Sequence, residues 1–302
     1  MRKLVVSLLF VFALITVARA DSDVGRATTA LERGDYKTSL KLSRRLAKLG
    51  LAVGERYMGL HYSTGKGVAR NPARALEWYR LAAAKGDPTA TYNIGMLYFY
   101  GKGIGKDPVE GLKWLRKSAA LGNRSADHAM GVAYTTGQGV AKDFRKAAEW
   151  YRRAAAKGQF ISMYNLGVSY ELGRGFPVDK SEAARWYAKS AAYGYAKAHY
   201  SLGWLYLNGE GVPKDTVKGI DYQRLAAELG YLNGQMMYGY ALQVGNGVRR
   251  DRVEAMKWFI IVANQGNEIA QKDVKKFGRM LTANEMAEAR RRADAWKRNK
   301  RK

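Results

Sequence analysis

Six times the chain writes a Gly-x-Gly element, each copy 36 residues after the last. It begins as Gly65-Lys66-Gly67-Val68 and returns at Gly101, Gly137, Gly173, Gly209 and Gly245, with no insertion between copies. A fixed period of this length marks a repeat array, in which each repeat stacks on its neighbours to bury a face it cannot bury alone. A second glycine series, Gly50, Gly86, Gly122, Gly158, Gly194, Gly230 and Gly266, keeps the same step. Together they delimit six repeats at 52–87, 88–123, 124–159, 160–195, 196–231 and 232–267.

Within each repeat two apolar segments have helical spacing and none alternates with period 2, so each repeat reads as a helix pair. Gly59, Gly95, Gly131, Gly167, Gly203 and Gly239 sit inside the first helix. Glycine there costs about 1 kcal/mol against alanine, and its return in every repeat points to close helix–helix approach. The Gly-x-Gly element ends this helix, its first glycine suited to the left-handed position after a helix C-terminus. Asn71, Asp107, Asp143, Asp179, Asp215 and Asp251 then cap the second helix. Glu110, Glu182 and Glu254, three residues later, suggest capping boxes. Trp78, Trp114, Trp150, Trp186, Tyr222 and Trp258 share one phase and read as core residues filling the gap to the next repeat.

Taken together, Leu/Ile-Gly-x-x-Tyr, GxGV, Asp, Ala-x-x-Trp-Tyr and Ala-Ala-x-x-Gly resemble the Sel1-like repeat family, a relative of the tetratricopeptide repeats. The resemblance covers 52–267. It implies an all-α, right-handed superhelical solenoid of antiparallel helix pairs. It also implies adaptor or regulatory roles in assembling protein complexes, exported bacterial members included. Asn71, Tyr222, Leu242 and Phe176 depart from the pattern without threatening it.

The ends differ from the array. Arg2 and Lys3 precede an apolar run, Leu4 to Val17, and Ala18-Arg19-Ala20 reads as a cleavage site. The run falls short of the ~20 residues a membrane span needs. Residues 1–20 are therefore expected to be a signal peptide, with a periplasmic or secreted mature chain and no transmembrane span after cleavage. Residues 21–51 read as N-terminal capping helices, and 268–302 as a C-terminal capping helix with a basic tail.

Chemistry is sparse. The chain has no Cys, which removes disulfides and thiolate chemistry. Some exported relatives are described as penicillin-binding or β-lactam-hydrolysing, but those carry disulfides this chain cannot form. His61, His128 and His199 fall at different phases, so no metal site is expected, and no cofactor motif is present. The six capping carboxylates stand a repeat apart, too far for paired-carboxylate catalysis. No catalytic residue is expected. The net charge is +26, or +23 once Arg2, Lys3 and Arg19 leave with the signal peptide. Such an excess favours an acidic protein partner or an anionic envelope polymer or lipid surface; an exported chain seldom meets nucleic acid.

The expected function is an interaction scaffold. Two phases of the first helix, four residues apart, share one face. They hold Arg56, Tyr92, His128, Tyr164, Tyr200 and Met236, and Met96, Trp204 and Tyr240 among others. By resemblance to tetratricopeptide repeats this face lines a concave groove. Aromatic residues and arginine are the types enriched at binding hot spots.

Two outcomes follow from the sequence. N-terminal sequencing of the exported protein should begin at Asp21; a membrane-bound product retaining Met1 excludes cleavage. Deleting 124–159 should leave a shorter folded protein, whereas deleting half a repeat should lower helicity and melting temperature sharply.

Overall fold

The structure, a computed structural model, describes residues 20–299. All but one residue of the expected signal peptide, and residues 300–302 of the basic tail, lie outside that range. Every regular element among the described residues is a helix. The chain divides into two compact bodies, one ending at Asp143 and the other starting at Phe144.

The first body holds α1 (20–32), α2 (Tyr36–Lys48), α3 (Ala52–Thr64), α4 (Pro72–Ala84), α5 (Pro88–Tyr100), α6 (Pro108–Ala120) and α7 (Arg124–Thr136). The second holds α8 (Phe144–Ala156), α9 (Phe160–Glu171), α10 (Lys180–Ala192), α11 (Ala196–Asn208), α12 (Thr216–Glu228), α13 (Leu232–Val244), α14 (Arg252–Ala263), α15 (Glu268–Gly278) and α16 (Ala283–Asn299). Odd-numbered helices from α3 to α13 are the first helices of their repeats, and even-numbered ones the second. Within each body, consecutive helices from α2 to α15 pack on one another, and α16 packs back on α14. The core runs through them as clusters. One joins Ala75, Tyr79 and Ala82 of α4 to Ala90, Ile94 and Leu97 of α5; another joins Tyr187 of α10 to Leu202 and Leu205 of α11.

Two kinds of contact set the spacing. Inside a repeat, the first-helix glycine lies under a large side chain of the second helix. A Cβ added at Gly59 would stand 2.4 Å from the Tyr79 ring, and one at Gly167 2.5 Å from the Tyr187 ring. Between repeats, the second glycine of each Gly-x-Gly turn rests on the start of the preceding repeat's second helix. A Cβ at Gly103 would stand 2.3 Å from Pro72 Cγ, and one at Gly211 2.2 Å from the Lys180 carbonyl carbon.

The capping residues behave as their type predicts on one side only. The side chains of Asn71, Asp107, Asp179, Asp215 and Asp251 each accept from the amide three residues on, at 2.9–3.0 Å. The reciprocal bond expected from Glu110, Glu182 and Glu254 is not made. Each cap's own N–H is already taken by the carbonyl nine residues back, as in Asp107 to Tyr98 at 2.9 Å and Asp251 to Leu242 at 3.0 Å. The glutamates turn elsewhere: Glu110 accepts from Trp114 Nε1 at 2.9 Å, and Glu182 pairs with Arg185. A reciprocal capping box does form at α16, between Thr282 and Glu285.

The tryptophan series is corrected by one residue. Trp78, Trp114, Trp150 and Trp186 are half-buried, and the residue after each is the buried one: Tyr79, Leu115, Tyr151 and Tyr187. One residue turns a helix by ~100°, so of two adjacent bulky positions only one faces the first helix. Three of these half-buried tryptophans have a cation over the ring: Lys117 at 5.3 Å from Trp114, Arg153 at 4.3 Å from Trp150 and Lys189 at 4.1 Å from Trp186. Trp258 alone in the series is buried. Helix α16 packs on α14, with Trp296 edge-on to Trp258 at 5.9 Å and Arg292 bonded to Glu254 at 3.1 Å.

Tyr187→Ala should therefore cost about 3–5 kcal/mol, the usual range for a fully buried large side chain, and Trp186→Ala clearly less, by denaturant unfolding. Gly103 and Gly122 both have left-handed backbones, but a Cβ at Gly122 meets nothing within 4 Å. Gly122→Ala should cost only the left-handed penalty, about 1–2 kcal/mol. Gly103→Ala should lower the melting temperature further.

Candidate functional site

Side-chain charge is sorted by helix. The first helices α3, α5 and α7 carry two bases and two acids, and α9, α11 and α13 one of each, Lys197 and Glu171. Lys and Arg gather on the second helices. The faces expected to bind a partner are therefore nearly uncharged and rich in tyrosine.

The richest of them lies in the second body. Tyr164 on α9 meets Tyr195 at 5.3 Å, edge to face, and Tyr200 on α11 meets Tyr231 in the same way at 5.2 Å. Phe160 packs on Tyr195 at 5.4 Å. Trp204 sits one turn beyond Tyr200 and is 42% exposed. Burial pushes the phenols of Tyr164, Tyr195 and Tyr200 above the usual tyrosine range, with the nearby Tyr231 adding to each shift. The patch is accordingly neutral at physiological pH, with phenol oxygens as its polar groups.

Tyr195 and Tyr231 were missed by reading helix interiors alone. They occupy the N-cap positions of α11 and α13, where Asp87, Asn123 and Asn267 cap α5, α7 and α15 with side-chain bonds. Neither helix has a side-chain cap, and neither do α3 and α9, preceded by Leu51 and Gln159; what sets Tyr195 and Tyr231 apart is an aromatic ring at that position. Replacing a good N-cap costs about 1 kcal/mol. The available signal was the recurrence of tyrosine at this phase in two successive repeats. In the first body the same pair of positions holds an ion pair instead: Arg56 Nε donates to Asp87 at 3.0 Å.

The remaining expected site residues are placed as follows. Arg56 is engaged by Asp87 and lies over the Tyr57 ring at 4.6 Å. Tyr92 and Met96 lie one turn apart on α5, and His128 on α7; all three are half-buried. Burial holds His128 below the usual histidine range. Met236 is a correction: it is 9% exposed within the core cluster of α13 and α14, so a partner does not reach it. Tyr240 is likewise committed to the fold. Its ring packs on Phe259 at 5.2 Å and its hydroxyl donates to Asp273 on α15; burial first, then that bond, pushes its pKa up to about 12.

Nothing on these faces assembles into reaction chemistry. His61 is buried, its ring bonded to the Lys66 carbonyl at 2.7 Å and Ser39 at 3.2 Å. Among the described residues no three His, Asp or Glu side chains are grouped to hold a metal ion. No helix among them is long and apolar enough to cross a membrane.

Comparison with known proteins agrees with this architecture. The Sel1 repeat family model matches residues 52–87, 88–123, 124–159, 161–195, 196–231 and 232–267. The crystal structure of a protective antigen present in uropathogenic Escherichia coli strains, which displays an SLR fold, superposes with a TM-score of 0.75 at 32% identity; the match covers 94% of this chain and 62% of that one. The chain thus spans less than two thirds of that relative. A Sel1 repeat protein from Oxalobacter formigenes superposes with a TM-score of 0.73 at 31% identity, covering 80% of this chain and 99% of that one. No curated protein matches the sequence. Repeats of this kind typically mediate protein–protein interaction and are generally not catalytic. With its six repeats in phase and its helix pairs in place, the chain belongs to the Sel1 repeat family.

Proposed function

We propose that this protein is an exported adaptor, acting in an envelope or secreted complex, that captures a segment of another protein on the first-helix face of its second body. The carrying observation is the cluster of Tyr164, Tyr195, Tyr200 and Tyr231 beside the exposed Trp204. Two of its tyrosines stand at N-cap positions, where they bring their rings against the first-helix tyrosines Tyr164 and Tyr200. Rigid aromatic side chains offer large contact area at low entropic cost, and a neutral face suits an extended segment that brings its own hydrogen-bonding groups to the phenols. Export is supported by the composition of residues 1–20. The E. coli relative described as a protective antigen points the same way, since an antigen is a molecule its host meets.

Affinity capture from an envelope extract tests the reading. The double variant Tyr200→Ala, Trp204→Ala should lose its partner at both low and high salt while keeping its helical signal and melting temperature. Capture that persists in the folded variant places the partner elsewhere.

A further inference from the structure

The bases left off the first helices are gathered most heavily on the second helices of the first body. Helices α2, α4 and α6 carry ten Lys and Arg against two Glu. In α2 alone there are five bases and no acid. The same helices of the second body are more balanced, with eleven bases against five acids. Lys41, Arg44, Lys48 and Arg116 are exposed and have no acidic partner among the described residues. Like charges spaced three to four residues apart along one helix, as Lys41, Arg44 and Lys48 are, repel, so such a face is relieved when something anionic covers it.

Its apolar content says what kind of cover fits. Three leucines stand exposed at the C-terminal ends of these helices: Leu49 (47%) just past α2, Leu81 (48%) in the last turn of α4 and Leu121 (41%) just past α6. Lys48 and Lys117 flank two of them in the last turns. A soluble polyanion offers nothing to isolated exposed leucines, and a folded acidic protein would need a shaped groove around each. A bilayer surface meets both demands, with phosphates for the bases and a fluid interface that admits single apolar side chains.

We infer that the second-helix face of the first body docks on an anionic lipid bilayer. It does so peripherally, through the bases of α2 and α6 with Leu49, Leu81 and Leu121 entering the headgroup layer. This contact is separate from the protein-binding face, so each can fail without the other.

The test is co-sedimentation of the full chain with phosphatidylglycerol–phosphatidylcholine vesicles and with phosphatidylcholine vesicles alone. The readout is the ratio of the two affinities, which cancels any contribution of the apolar run at residues 4–17. Each base near an anionic surface contributes roughly fivefold. Lys41→Gln, Arg44→Gln, Arg116→Gln and Lys117→Gln together should lower the ratio by about a hundredfold or more. A matched loss of four bases from the second body, at Arg145, Arg152, Arg185 and Lys189, should leave most of it. Equal loss in both variants, or loss in neither, overturns the assignment. All the substituted residues are surface groups, and circular dichroism checks that each variant folds. Leu49→Ser, Leu81→Ser and Leu121→Ser should weaken binding to anionic vesicles with every charge intact. If the leucine variant binds as the parent does and soluble polyphosphate strips the protein from vesicles, the face takes a linear polyanion and the bilayer proposal fails.

Discussion

Each Gly-x-Gly turn leans on the start of a helix 31 residues earlier, at a distance only hydrogen can fill. That contact sets the separation of one repeat from the next. Side chains elsewhere can adjust to a neighbour by changing rotamer, but a glycine α-carbon against a backbone carbonyl or, at Gly103, a proline ring has little to adjust. The turn is fixed from the other side as well. The cap residue's amide is bonded to a carbonyl of the first helix nine residues back, in every repeat from Asn71 to Asp251. A residue inserted between those points would break both contacts at once, which accounts for five consecutive steps of 36 without a single insertion.

These two contacts also explain what varies freely. The bond to the cap amide comes from a backbone carbonyl, so Tyr98 and Leu242 serve it equally well, and the tyrosine rings of that series are left to other tasks. Tyr170 stacks on Phe176 at 4.3 Å, and Tyr206 on Tyr222 at 5.7 Å. The steric demand of the first-helix glycine is likewise met by whatever fills the facing position: Tyr79, Tyr187, Phe259 or, at the fifth repeat, the buried Gln223, which donates to the Tyr200 carbonyl at 3.1 Å.

The period, the caps and the glycine contacts were legible because each depends on residue type at a fixed phase. What the period cannot say is which of two adjacent bulky phases points inward. That depends on the rotation of the second helix about its axis, set by packing, and so Tyr151, not Trp150, takes the core position expected of the tryptophan. Met236 and Tyr240 were misplaced for a related reason. They belong to the last repeat, where α15 and α16 replace a following repeat, and their equivalents elsewhere meet different neighbours. Tyr195 and Tyr231 lie outside the helix interiors, at a phase that holds Leu51, Asp87, Asn123 and Gln159 elsewhere, so no residue type shared across the array drew attention to them. The capping boxes expected of Glu110, Glu182 and Glu254 do not form because a backbone carbonyl has already taken the amide they would accept from.

The sorting of charge between first and second helices has a consequence before any contact is made. A body whose positive charge is concentrated on one side experiences a torque in the field of a charged surface, as well as a pull. For the first body that torque turns the second helices toward negative charge and the first helices away from it. Orientation is then selected during approach, over distances comparable with the ~8 Å screening length at physiological ionic strength. The first helices, whose two bases and two acids cancel, add no net charge to the turning force and are the ones left facing the solution.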